Sequence, residues 1–188
     1  MANIPNGVTT ETINNTEFEA GLILNKAFTS ASSFNKETDV LCATTGGIKV
    51  NVTATKQAIK FDGVLDNTAG LERIIGWTGS VQFSTKEVDA DMVKLALGYA
   101  TNTSGKITLN QGIIPTSEYK NFYILGKLGD GTWRQIKISN SMNVTGLQET
   151  RNDKGETEIA FDLQANYGID TQDTAPVEIE YITDNSQV

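Results

Sequence analysis

Residues 76–98 read GWTGSVQFSTKEVDADMVKLALG, and within them one periodicity gives way to another. Ile75, Trp77, Val81 and Phe83 share one parity, while Gly76, Thr78, Ser80 and Gln82 take the other. That alternation is the mark of a strand with one apolar face, and it assigns Trp77 to the core. Val88, Met92, Leu95 and Tyr99 then step by four, three and four, which stacks them on one side of a helix. Ser84 with Glu87 has the spacing of a capping box, and Asp89 and Asp91 suit a first turn equally well. Gly98 fits the left-handed position that ends a helix. A helix this short needs a sheet to lie on. Trp77, Val88, Met92, Leu95 and Tyr99 are therefore the expected helix-on-sheet packing residues.

Outward from this stretch the pattern is that of β-structure. Residues 1–16 have no period, and they read as a flexible arm ahead of a single β-rich domain spanning 17–188. Residues 22–24 suggest a strand, and 29–39, rich in Ser, Thr and Asn, a long loop. Ile48, Val50, Val52 and Ala54 alternate with polar neighbours, a second strand is expected around residues 58–64, and residues 66–70 carry turn chemistry. Residues 99–119 are irregular, with a possible short strand at 107–109. Two hairpins follow, one turning at Gly129-Asp130-Gly131 and one at residues 152–155. Val177, Ile179 and Tyr181 suggest a last edge strand. The sum is a mainly β chain, an antiparallel β-sandwich or barrel of about eight strands with one flanking α-helix.

Composition narrows the chemistry. The 188 residues include no histidine and one cysteine, Cys42. This removes Ser-His-Asp and Cys-His catalysis, an internal disulfide and the usual zinc sites, and argues for synthesis inside a cell. No run is apolar and long enough to span a membrane, and no secretory signal is visible. Four N-x-Ser/Thr triplets, at Asn14, Asn51, Asn102 and Asn143, are expected by chance in so Asn- and Thr-rich a chain. Asp170 with Asp173, and Asp62 with Asp66, read as turns and lack calcium-loop spacing. No nucleophile–base pair can be named, so no catalytic, metal or cofactor residues are expected and the chain does not read as an enzyme. Residues 1–145 hold 13 acidic and 13 basic side chains, so the whole formal charge of −8 resides in residues 146–188. Such a surface repels phosphate; it is either a solubilising face or a functional field.

The strands put uncharged Thr, Asn and Gln on their polar faces, and free β-edges of that kind pair between molecules unless blocked. Residues 61–63 (FDG), 75–83 (IGWTGSVQF), 88–92 (VDADM) and 95–98 (LALG) resemble the major tail, or tail tube, proteins of long-tailed bacteriophages. The resemblance implies a virion tail protein made in the host cytoplasm. Its copies would form rings, hexameric in that family, stacked into a tube that conducts DNA during genome ejection without binding it tightly. Tape-measure and tail-terminator proteins would be further partners. The family's lumen is commonly acidic, which makes Glu156, Glu158 and Asp162 candidate lumen-facing acids, with Lys49 a departure. Residues 1–16 and 29–39 become candidate ring-to-ring contacts. A carbohydrate-binding β-sandwich module, resting on Trp77 and Trp133, is the alternative. Trp133 is opposite in parity to Ile136 and Ile138, which places it at the surface or an interface.

Overall fold

A computed structural model describes residues 7–18, 21–65, 68–151 and 153–183. Among them, helix α1 (Thr10–Asn14) precedes strand β1 (Leu22–Leu24), and helix α2 (Lys36–Asp39) runs into β2 (Val40–Cys42). A long hairpin follows, β3 (Thr44–Ala58) with β4 (Glu72–Thr85), and then helix α3 (Ala90–Leu97) and the small hairpin β5 (Ala100–Thr103) and β6 (Lys106–Leu109). Strands β7 (Lys120–Lys127), β8 (Trp133–Asn143), β9 (Gln148–Thr150), β10 (Glu158–Gln164) and β11 (Val177–Ile182) complete the order. The eleven strands exceed the eight expected because β2, β5 and β9 carry too few residues to show a period, while β6 falls at the short strand expected at 107–109.

The pairing is antiparallel throughout and makes two facing sheets joined through β8. One sheet runs β2-β1-β7-β8-β11, the other β3-β4-β10 with β9 beside β10. Strand β8 pairs with β7 as far as Ser141, then with β10 through Met142 and Asn143. The change of sheet occurs at Asn140, whose φ is +46° and whose N–H donates to Asn121 Oδ1 at 2.9 Å. Asn tolerates the left-handed region, and such an irregularity bends a strand across the corner of a sandwich. Ile23, Phe122, Ile124, Ile136 and Ile138 from one sheet face Val81, Phe83, Ile159, Phe161 and Leu163 from the other, all buried. The Phe83 and Phe161 rings stack with centroids 4.9 Å apart. Each large side chain in this core contributes about 1.5–3 kcal/mol. The fold is thus a mainly β sandwich with a flanking helix.

Helix α3 lies at one end of that core. Asp89 is its N-cap, with Oδ1 accepting from Asp91 N and Met92 N at 2.9 Å each, and Gly98 at φ +75° ends it. Met92 and Ala96 are buried, and Val93 and Leu95 pack beside them. Val88 therefore falls before the helix and is exposed, a correction to the expected stripe. Tyr99 falls after it and is half-buried. Glu87 serves elsewhere: its Oε1 accepts from Ala43 N at 2.8 Å. Trp77 also needs correcting, since it is 37% exposed. It shares the parity of Val81 and Phe83, but β4 has by then run past the end of the opposite sheet. Parity decides which face a residue is on, and not whether anything covers that face.

Three other expectations change. Strand β3 ends at Ala58, so residues 59–64 belong to the connection between β3 and β4 and form no strand of their own. Residues 29–39 do not form a plain loop: Phe28 and Phe34 lie with Leu24, Leu125 and Trp133 on the outer face of the first sheet, and Phe28 N–H donates to Gln135 Oε1 at 2.6 Å. Of the expected arm, residues 1–6 lie outside the described residues. Helix α1 and residues up to 18 lie against the β7–β8 turn, where Gly129 N and Asp130 N donate to Thr16 O and Asn14 O.

At Gly79 the Val177 side chain of β11 sits directly against β4. A Cβ built there would stand 2.2 Å from Val177 Cγ2 and 3.6 Å from Ala165 Cβ. Replacement by alanine is expected to push β11 outward and cost about 1–3 kcal/mol. In a chain of this size each kcal/mol lowers the melting temperature by roughly 2–4 °C. A thermal melt of Gly79→Ala indistinguishable from wild type would show that β11 yields freely.

Candidate assembly surface

On the outer side of the β3–β4–β10 sheet, the register sets residues into rows. Lys49, Gln82 and Asp162 form one; Asn51, Ser80 and Gln164 the next; Thr45, Ser84 and Ala160 a third. Gln82 Nε2 donates to Asp162 Oδ2 at 2.8 Å. Glu158 lies farther along the same face, and both acids line a shallow depression of about 420 Å³ together with Lys49 and Gln82. The strand thus brings Glu158 and Asp162 together. Glu156 it does not: this residue precedes β10, and its carboxylate meets Lys86 Nζ at 3.0 Å. The Lys86 hydrogen bond holds the Glu156 carboxyl below the usual range. The acidity of residues 146–188 is further divided, with Glu178 on Lys137 (3.3 Å) and Glu149 on Arg151 (2.5 Å).

The β3–β4 hairpin continues well past the sandwich. Beyond Gly79 its inner face is uncovered, and Val52, Ile75 and Trp77 are exposed there; Ile74 is exposed beside them. The Trp77 N–H donates to the Tyr167 hydroxyl at 2.5 Å. The connection between the strands exposes Ile59, Phe61, Val64 and Leu65, the last to 85%. Among the described residues strand β3 has no neighbour on its outer side, so the outward-pointing backbone groups along this 15-residue strand form an open edge. Sequence reading missed this projection. Four large apolar residues between 59 and 65, next to turn residues, read instead as a strand of the sandwich around 58–64.

The two tryptophans do not make a platform. Trp133 has the Phe28 ring 5.0 Å away and Lys127 Nζ 5.0 Å over its own ring, whereas Trp77 lies on the other sheet. Asp170 and Asp173 lie in successive turns, closed by Thr171 N to Gly168 O and Thr174 N to Thr171 O. Among the described residues no group of three or more Cys, Asp or Glu is placed to hold a metal, and no helix is long and apolar enough to cross a membrane. Cys42 is buried, and burial pushes its thiol up to about 11.

No protein-family model and no curated protein matches the chain. Among solved structures, a chain in the virion of a native gene transfer agent particle superposes with a TM-score of 0.44 at 11% identity, over 87% of this chain and 96% of that one. That likeness is too slight to bear on what the chain does.

Proposed function

We propose that the chain is a structural subunit of a phage tail tube, catalysing no reaction and assembling with copies of itself into rings that stack around a conduit for DNA. The observation that carries this reading is the β3–β4 hairpin, half of which stands outside the sandwich with apolar side chains uncovered. Monomeric proteins rarely leave so many large apolar residues contiguous in solvent, and such patches mark interaction surfaces. The open edge of β3 points the same way, because pairing between copies around a closed ring abolishes free edges. The outer face of that sheet suits a lumen. Its hydroxyl and amide groups carry no positive charge to hold phosphate, and Glu158 and Asp162 outweigh Lys49, a balance that each further copy repeats. The carbohydrate-binding alternative is weaker, since Trp133 is already packed against Phe28 and Lys127. Sedimentation velocity and negative-stain microscopy over a range of concentrations test the proposal. Rings or tubes are the expected result, and a monomer at every concentration overturns it.

A further inference from the structure

The exposed end of the hairpin and a groove elsewhere on the molecule complement one another. Between α3, β2 and β7 lies a groove of about 480 Å³, lined by Leu41, Leu95 and Phe122 and by charges of both signs, Asp89, Asp91 and Lys120 beside the Lys94–Glu118 pair (3.6 Å). The described residues of the hairpin end are tied to one another as a knob. Ile59 N donates to Leu71 O (2.7 Å), Val64 N to Phe61 O (3.2 Å) and the Thr68 hydroxyl to Leu65 O (2.7 Å). It presents Phe61 and Leu65 to solvent, with Lys60 and Asp62 on either side of Phe61. Apolar knob meets apolar lining, and the Asp62 carboxylate has its opposite in Lys120.

The knob and the groove lie toward opposite ends of β4, the knob beyond Glu72 and the groove beside the helix that follows Thr85. Fourteen residues of strand separate them by about 45 Å, so a chain does not fill its own groove. We propose that the groove beside α3 receives the hairpin end of a second copy of this chain. This rests on the reading of the chain as a self-assembling subunit and names the contact that propagates it. Two different patches at opposite ends make a head-to-tail contact, which repeats along the direction of β4 and builds a stack rather than a closed pair.

The test uses the full-length chain. Leu65→Cys mixed with Asp91→Cys and oxidised is expected to give a covalent heterodimer, and the double variant a ladder extending beyond dimer; Cys42 is buried and stays silent. Phe61→Ser with Leu65→Ser is expected to raise the concentration for half-assembly by about tenfold or more, since two large side chains lose their burial. Asp62→Lys and Lys120→Glu should each weaken stacking, and their combination should restore it. If wild type stacks but no cross-link forms and the serine variant stacks equally well, the groove assignment is overturned while self-assembly stands. If wild type stays monomeric throughout, self-assembly itself is overturned, and this contact with it.

Discussion

Asn143→Leu is expected to destabilise the folded chain by about 3 kcal/mol or more, at nearly constant side-chain volume. Asn143 is 6% exposed and works where β8 has left one sheet for the other. Its Nδ2 donates to Ala96 O at 2.7 Å and to Gly146 O at 2.8 Å, and its Oδ1 accepts from Asp162 N at 2.8 Å. The side chain thereby satisfies a carbonyl near the end of α3, which the helix itself leaves without a partner, and fills a gap in the ladder along β10. Leucine removes these bonds, together with the one that Oδ1 accepts from Thr145 Oγ1 at 3.2 Å, and leaves the main-chain groups buried, at about 1–3 kcal/mol for each that finds no water. Total stabilities of domains are about 5–15 kcal/mol, so the loss would be a large share of the whole. Guanidinium unfolding monitored by tryptophan fluorescence measures it. Asn143→Asp keeps the acceptor but sets an oxygen against two carbonyls, and should be no better at neutral pH. A loss below about 1 kcal/mol in both variants would show that water or a shift of β8 replaces the amide.

Asn143 also illustrates why some of the fold was legible and some was not. In sequence it opens an N-x-Thr triplet and nothing more, because its partners at Ala96 and Asp162 are distant in the chain. By contrast Ile159, Phe161, Leu163 and Ala165 alternate in sequence and are all buried in the structure, and Gly98 ends α3 at φ +75°. Strand faces and the helix end are local properties, set by a period of two and by a missing β-carbon. Cover is not local. Trp77 and Val81 look alike in sequence, and only the length of the opposing sheet separates an exposed residue from a buried one. The same reason hid Phe28 and Phe34, which sit in a Ser-rich stretch: Phe28 takes its cover from Trp133, and Phe34 packs on Phe28. For the candidate lumen residues, alternation placed Glu158 and Asp162 on one face correctly. It had no means of revealing that Glu156, two residues before Glu158, lies off the strand and against Lys86.

Shortening the hairpin should separate assembly from folding more cleanly than any point substitution. Thr55 and Gly76 are directly opposite one another, so residues 56–75 can be replaced by Asn-Gly, the pair that closes a two-residue turn between paired strands. None of the described residues removed is buried, and the Trp77–Tyr167 bond is retained. The shortened chain is therefore expected to keep its melting temperature within a few degrees of wild type, roughly the effect of 1 kcal/mol. Circular dichroism should show the same β-signature. Its assembly should fail outright, because Ile59, Phe61, Val64, Leu65, Ile74 and Ile75 leave together, and each contributes only when a second copy covers it. Sedimentation at a concentration where wild type is fully assembled is the measurement, with a single slow species expected. Rings or tubes formed by the shortened chain would mean that the open edge of β3 and the outer face of its sheet suffice for assembly. The projecting half of the hairpin would then need a different partner, and its apolar surface would have to be matched to some other chain in the same particle.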